Sequence, residues 1–170
     1  MRATLASLAF MAFGGIALAQ PRAAYSSSEG KYSIKFPGEP KATTNKTKSA
    51  VGELKVNTAT YVTTDTNVFM ITYTDFPASA TKPEHHGTLF DGLRDGLKGR
   101  EGKIVSEKEI EFGPDKLPGR EVVVDKGKQR VKSRIILRDT RVYQVAVIGT
   151  ANFVDGQEAT GFLDSLELTK

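Results

Sequence analysis

The chain has 170 residues, 39% of them apolar and 26% charged, which is the balance of one globular domain with a core of its own and not of a disordered or fibrous chain. A formal net charge of only +4 gives no ground for a nucleic-acid partner. The absence of Cys removes disulfides, cysteine-metal clusters and lipid attachment at a cysteine.

In chain order, Arg2 precedes an apolar run at residues 5–18 that ends in Ala17-Leu18-Ala19 before Gln20. This is the pattern of a cleaved signal peptide over residues 1–19, and the run falls short of the roughly 20 apolar residues that span a bilayer. The expectation is therefore export, to the periplasm or the extracellular space, with no transmembrane segment after cleavage. Residues 20–30 are small and polar, with Ser26-Ser27-Ser28, and read as a flexible tether. A single domain is expected over residues 31–170, with order beginning near Lys31.

Residues 31–36 alternate, with Tyr32, Ile34 and Phe36 on one side, until Pro37-Gly38 stops the strand. Four lysines at residues 41–50 fit a solvated loop or an edge strand protected by charge. Residues 53–63 alternate again, Asp65-Thr66-Asn67 turns the chain, and residues 68–76 return with Phe69, Ile71 and Tyr73 on one face. Leu89, Phe90, Leu93 and Leu97 then recur at spacings of three and four, which is one amphipathic helix. Gly87, Gly92 and Gly96 each cost it about 1 kcal/mol relative to Ala. Residues 103–112 resume a strand, and Gly113-Pro114 breaks it.

The densest run of β-formers is residues 119–149, read as three strands joined by turns at Lys126-Gly127 and Asp139-Thr140. With two-residue loops, Glu121 faces Lys132, Val122 faces Val131, Ile135 faces Gln144 and Ile136 faces Tyr143. One face then carries Val122, Val131, Ile135, Leu137, Val142, Ala146 and Ile148. The other mixes Ile136, Tyr143, Val145 and Val147 with charges, so one whole face and part of the other need cover. A second helix is expected over residues 155–166 from Ala159, Phe162, Leu163 and Leu166. The order of elements predicts an α+β fold in which a central, largely antiparallel sheet is packed between helices.

KYSIKFPGEP at the opening of the domain, GRE before a strand, RVYQVAVIG as a late strand and FLDSLEL at the end together resemble exported bacterial proteins of the PsbP-like superfamily. The resemblance covers residues 31–168 and implies a PsbP-like α/β/α sandwich. Its members include an extrinsic subunit of photosystem II and a Ran-binding import factor, and no shared catalytic motif carries over to this chain.

Among candidate sites, His85-His86 is the only histidine pair, but adjacent helical residues point about 100° apart and do not converge on a metal. Further ligands would have to be carboxylates such as Glu84 or Asp91, and a solvated helix start is the simpler reading. There is no serine elbow, no phosphate-binding loop and no dinucleotide fingerprint, so no catalytic residue, metal or cofactor is assigned. The remaining candidate is Lys128, Arg130, Lys132 and Arg134, four bases at period two on one strand. Arg130, Lys132 and Arg134 are the expected ligand-binding residues for an anionic group, against the plainer role of cross-strand ion pairing.

The resulting reading is an exported, non-enzymatic domain that binds a protein partner or a small, anionic ligand at the sheet edge or in a helix-sheet cleft, as a monomer or weak oligomer. The alternative is a loop-assembled enzyme or small-ligand carrier of the cell envelope. Its site would lie on residues 41–50 and the connector at residues 78–87.

Overall fold

The computed structural model describes residues 24–170. The expected signal peptide and the first part of the expected tether lie outside them.

Strands β1 (Tyr25–Ser27) and β2 (Tyr32–Ile34) come first, then β3 (Lys41–Ser49), β4 (Gly52–Val62) and β5 (Val68–Asp75). A short 3-10 turn (Pro83–His85) leads into α1 (His86–Lys98). Strands β6 (Lys103–Phe112), β7 (Leu117–Asp125), β8 (Arg130–Arg138) and β9 (Arg141–Gly149) follow, then α2 (Ala151–Val154), α3 (Gln157–Asp164) and β10 (Glu167–Leu168). Seven strands form one sheet in the order β3-β4-β5-β9-β8-β7-β6, and every neighbouring pair is antiparallel. A second, three-stranded sheet has the order β1-β2-β10.

The two faces of the large sheet divide the apolar residues as the alternation predicts. Val122, Val131, Ile135, Leu137, Val142 and Ala146 lie under α1 with Phe90, and Leu89, Leu93 and Leu97 pack on them. Phe69, Ile71, Tyr73, Ile136, Tyr143, Val145 and Val147 face the other way, onto Phe162 and Leu163 of α3 and onto Tyr32, Ile34 and Phe36. Helices therefore cover both faces of an antiparallel sheet.

The β7–β8 register differs from the expected one. Glu121 pairs with Arg134, Val122 with Ser133 and Val124 with Val131, because the turn is centred one residue later, on Gly127-Lys128. Gly127 takes a positive φ of 78°, its N–H donates to Asp125 Oδ1 at 2.8 Å, and Lys126 N–H donates to Gln129 O at 2.8 Å. Glycine thus occupies the first central position of the turn, not the second. Moving the centre by one residue shifts the pairing by two, so every side chain keeps its face. The β8–β9 pairing, with Ile135 opposite Gln144 and Ile136 opposite Tyr143, is as expected.

Three other segments refine the sequence reading. Residues 41–49 are a strand at the sheet's edge, exposed throughout, with lysines along it. The second helix is divided: Thr150 Oγ1 caps α2 by accepting from Phe153 N–H at 3.3 Å, and the extended backbone of Gly156 separates α2 from α3. Among the described residues, strand structure is also present at Tyr25–Ser27, before Lys31. The Tyr25 ring packs against Phe36 at 5.8 Å and Tyr32 at 6.3 Å. Gly30 O accepts from Tyr143 Oη at 2.8 Å and Glu29 O from Arg141 Nη1 at 2.7 Å. These bonds fasten part of the expected tether to β9.

Candidate functional site

The three bases singled out on β8 share the face of α2 and α3, and acids from distant positions meet two of them. Arg134 donates from Nε to Glu121 Oε2 at 2.7 Å and from Nη1 to Asp164 Oδ1 at 2.7 Å. Arg130 donates from Nη1 to Asp155 Oδ2 at 2.7 Å and has Asp125 Oδ2 at 3.6 Å. Each guanidinium joins β7, β8 and the helical segment, a geometry that suits its planar fork. Lys132 lies between them in the ladder, opposite Val123 and Val147, and Lys128 sits in the turn.

Burial acts to raise the Glu121 carboxyl, and the hydrogen bonds from Arg134 and Lys108 overcome it, holding the group below its ordinary value of 4.5. A carboxyl depressed in the folded state adds stability above its unfolded value and loses it as pH falls through the folded one. The urea midpoint should therefore decline on acidification below about pH 4.5, and should decline less steeply in Glu121→Gln. Equal slopes for the two proteins would assign the acid loss to other carboxylates.

The histidine pair opens α1 without converging. His86 Nε2 lies 3.0 Å from Thr81 O, and among the described residues no three His, Asp or Glu side chains assemble around a common point. Asp91 is occupied by Arg120, at 2.6 Å, and by Arg94, at 2.9 Å. The Arg120 hydrogen bond keeps this carboxyl below its usual range. Arg120 is buried on β7 and also reaches Glu107 of β6 at 2.7 Å, so these pairs anchor α1 over the β6–β7 side of the sheet.

That anchoring creates the main cleft. Seven strands spaced about 4.8 Å apart present a face roughly 30 Å wide, whereas one helix is only about 10 Å across. With α1 held to one side, the face over β4, β5 and β9 is left as a cleft of about 720 Å³. Its floor is Thr72, Thr74, Val142 and Gln144; Leu54 and Val56 rise on the hairpin side, and Phe76 and Ala80 close the connector side. The turn before α1 contributes His85, and the helix contributes Thr88, Leu89, Gly92 and Leu93, a stripe at spacings of three and four. Two smaller hollows, of about 260 and 410 Å³, each include ionisable side chains, Glu29 in one and Glu109 and Arg120 in the other. The large cleft is lined by no Asp, Glu, Lys or Arg.

Both segments named from sequence as places for a site border this cleft, through Thr47 and Ser49 on one side and Ser79 and His85 on the other. Its floor was not foreseen. The available signal was polarity out of place: Thr72 and Thr74 in VFMITYTD and Gln144 in RVYQVAVIG interrupt a face whose other positions on β9 are Val142, Ala146 and Ile148.

No family model matches the sequence, and no curated protein matches it. Among solved structures, the chain is similar to cyanobacterial PsbP (CyanoP) from Synechocystis sp. PCC 6803, at 11% identity and a TM-score of 0.54, over 95% of this chain and 98% of that one. It is also similar to PA94, a protein of unknown function from Pseudomonas aeruginosa, at 11% identity and a TM-score of 0.41, over 81% and 89% of the two chains. The likeness to CyanoP is one of fold: this chain is an α+β protein with a PsbP-like arrangement of an antiparallel sheet and its helices.

Proposed function

We propose that this protein is a non-enzymatic binding domain that holds a small, mainly apolar ligand in the cleft between α1 and the sheet. One observation carries the reading: a cleft of about 720 Å³ without a charged side chain in its lining, in a chain that is 26% charged. Its volume lies within the range of about 300–1,000 Å³ typical of small-molecule sites. Gly92 adds to the case. Glycine inside a helix is unfavourable by about 1 kcal/mol, yet a Cβ built at Gly92 would meet nothing within 4 Å. Gly92 is exposed at the cleft's lining, so a side chain added there has room to project over the cleft.

Acid-base chemistry has little to work with there, since the lining holds no Asp, Glu, Lys or Arg and His85 is its one histidine. Arg130 and Arg134, tied to carboxylates at 2.7 Å, read as braces between sheet and helices and not as a ligand grip. The exported setting rests on Arg2 and the apolar run at residues 5–18.

The test is binding of N-phenylnaphthylamine, a neutral apolar fluorophore, to the wild type and to Gly92→Leu. The larger side chain should abolish the fluorescence gain by filling the cleft. Thermal stability should be unchanged or raised, by up to about 1 kcal/mol, because leucine is the better helix former. Wild-type binding by a folded Gly92→Leu would overturn the assignment of the cleft as the site. Native mass spectrometry of the protein purified from its own host would then weigh the retained ligand directly.

A further inference from the structure

The cleft floor carries a chemical preference of its own. Thr72 of β5 and Gln144 of β9 are direct cross-strand partners, and Thr74 lies one pleat further along β5. Directly paired side chains stand about 5 Å apart and same-face neighbours along a strand about 7 Å apart, so two hydroxyls and one amide form a single polar patch. It sits on inner strands: β5 lies between β4 and β9, and β9 between β5 and β8. Thr74 is only 8% exposed, and Thr72 and Gln144 are half-buried. Polar groups in such a position need hydrogen-bond partners when solvent is displaced. All three side chains line the open cleft.

Resting on the reading of the cleft as a ligand site, we infer that the ligand is an uncharged aliphatic amphiphile whose carboxamide, hydroxyl or carbonyl head is held by Gln144 with Thr72 and Thr74. An amide side chain both donates and accepts, and a threonine hydroxyl does the same, so the patch can satisfy any neutral head group. An ionised head would be carried into a lining without Asp, Glu, Lys or Arg to pair with it, and a buried, unpaired ion is strongly disfavoured. The walls argue for the rest of the molecule. Leu54, Val56, Leu89 and Leu93 are aliphatic, and Phe76 supplies the lining's only phenyl ring. The surface therefore offers packing for methylene groups and little for stacking a flat ring.

The experiment compares dodecanamide, dodecanol and dodecanoate, each below its micelle concentration and at a pH where dodecanoate is ionised, as displacers of N-phenylnaphthylamine from the full wild-type chain. Dodecanamide and dodecanol should bind at least about tenfold more tightly than dodecanoate. Gln144→Leu, of similar size, should weaken dodecanamide about tenfold relative to that variant's own affinity for the fluorophore, by removing the amide's partner. Thr72→Val is the second variant, smaller in effect and in the same direction, and it serves if Gln144→Leu does not fold. Equal affinity for the amide and the ionised acid, or unchanged amide binding in both folded variants, overturns this inference and leaves the site standing. Failure of the fluorophore and all three amphiphiles to bind the wild type overturns the site and the inference together.

Discussion

Phe69→Ala lowers the stability of the protein by about 3–5 kcal/mol, the cost of emptying a buried aromatic position. Phe69 is fully buried on β5, with Phe162 of α3 at 5.1 Å and Phe153 of α2 at 5.4 Å in edge-to-face contact and Tyr61 at 6.4 Å. The substitution removes packing from three segments at once, and the rings around it are held by their own backbones and cannot all close the gap. Edge-to-face pairs add about 0.5–1.5 kcal/mol beyond burial, so Phe69→Leu should lose less than Phe69→Ala but more than nothing. Urea melts at constant slope measure the difference. A loss below about 1 kcal/mol for Phe69→Ala would mean that α2 and α3 are loosely laid on the sheet and not packed into it.

Ile135→Ala should cost about 2–5 kcal/mol on the opposite face. Ile135 is fully buried at the middle of β8, between β7 and β9, in the layer formed with Val122, Val131, Ala146 and Phe90. Ile104→Ala is the internal comparison, because Ile104 is 38% exposed on the edge strand β6 and exposed substitutions usually stay within about 0.5 kcal/mol. Similar losses at the two positions would contradict the strand order. A large loss at Ile135 alone agrees with a sheet whose centre lies at β9 and β8.

Legibility in the sequence followed how local each determinant is. The division of residues 119–149 into two faces depends only on alternation, so it survived the misplaced turn at Gly127. The α1 stripe depends only on spacing, and it was read correctly despite three glycines. Pairing partners were harder. Asp155 and Asp164 reach Arg130 and Arg134 only after α2 and α3 have folded back over β8, and no local pattern announces that return. Tyr25 was read as tether because a three-residue strand has no period to detect; it pairs with Ile34, and Glu29 and Gly30 after it are held by Arg141 and Tyr143, more than a hundred positions away. The cleft was legible as a place between helix and sheet. Its chemistry lay in Thr72, Thr74 and Gln144, each unremarkable alone and informative only once β5 and β9 are side by side.

The small sheet has a consequence for the order of events during synthesis. β2 receives one neighbour early, from β1, and the other only from β10, with Thr169 N–H donating to Lys31 O at 2.9 Å. Tyr32, Ile34 and Phe36 likewise share their layer with Phe162, Leu163 and Leu166. A chain emerging from the ribosome can form the β4–β5 hairpin and the meander from β6 to β9 as it grows, since antiparallel neighbours in sequence pair locally. It cannot seal the layer beneath β2 until the residues of α3 and β10 have been released. The apolar layer of Tyr32, Ile34 and Phe36 can therefore close only once the residues of α3 and β10 are available to it.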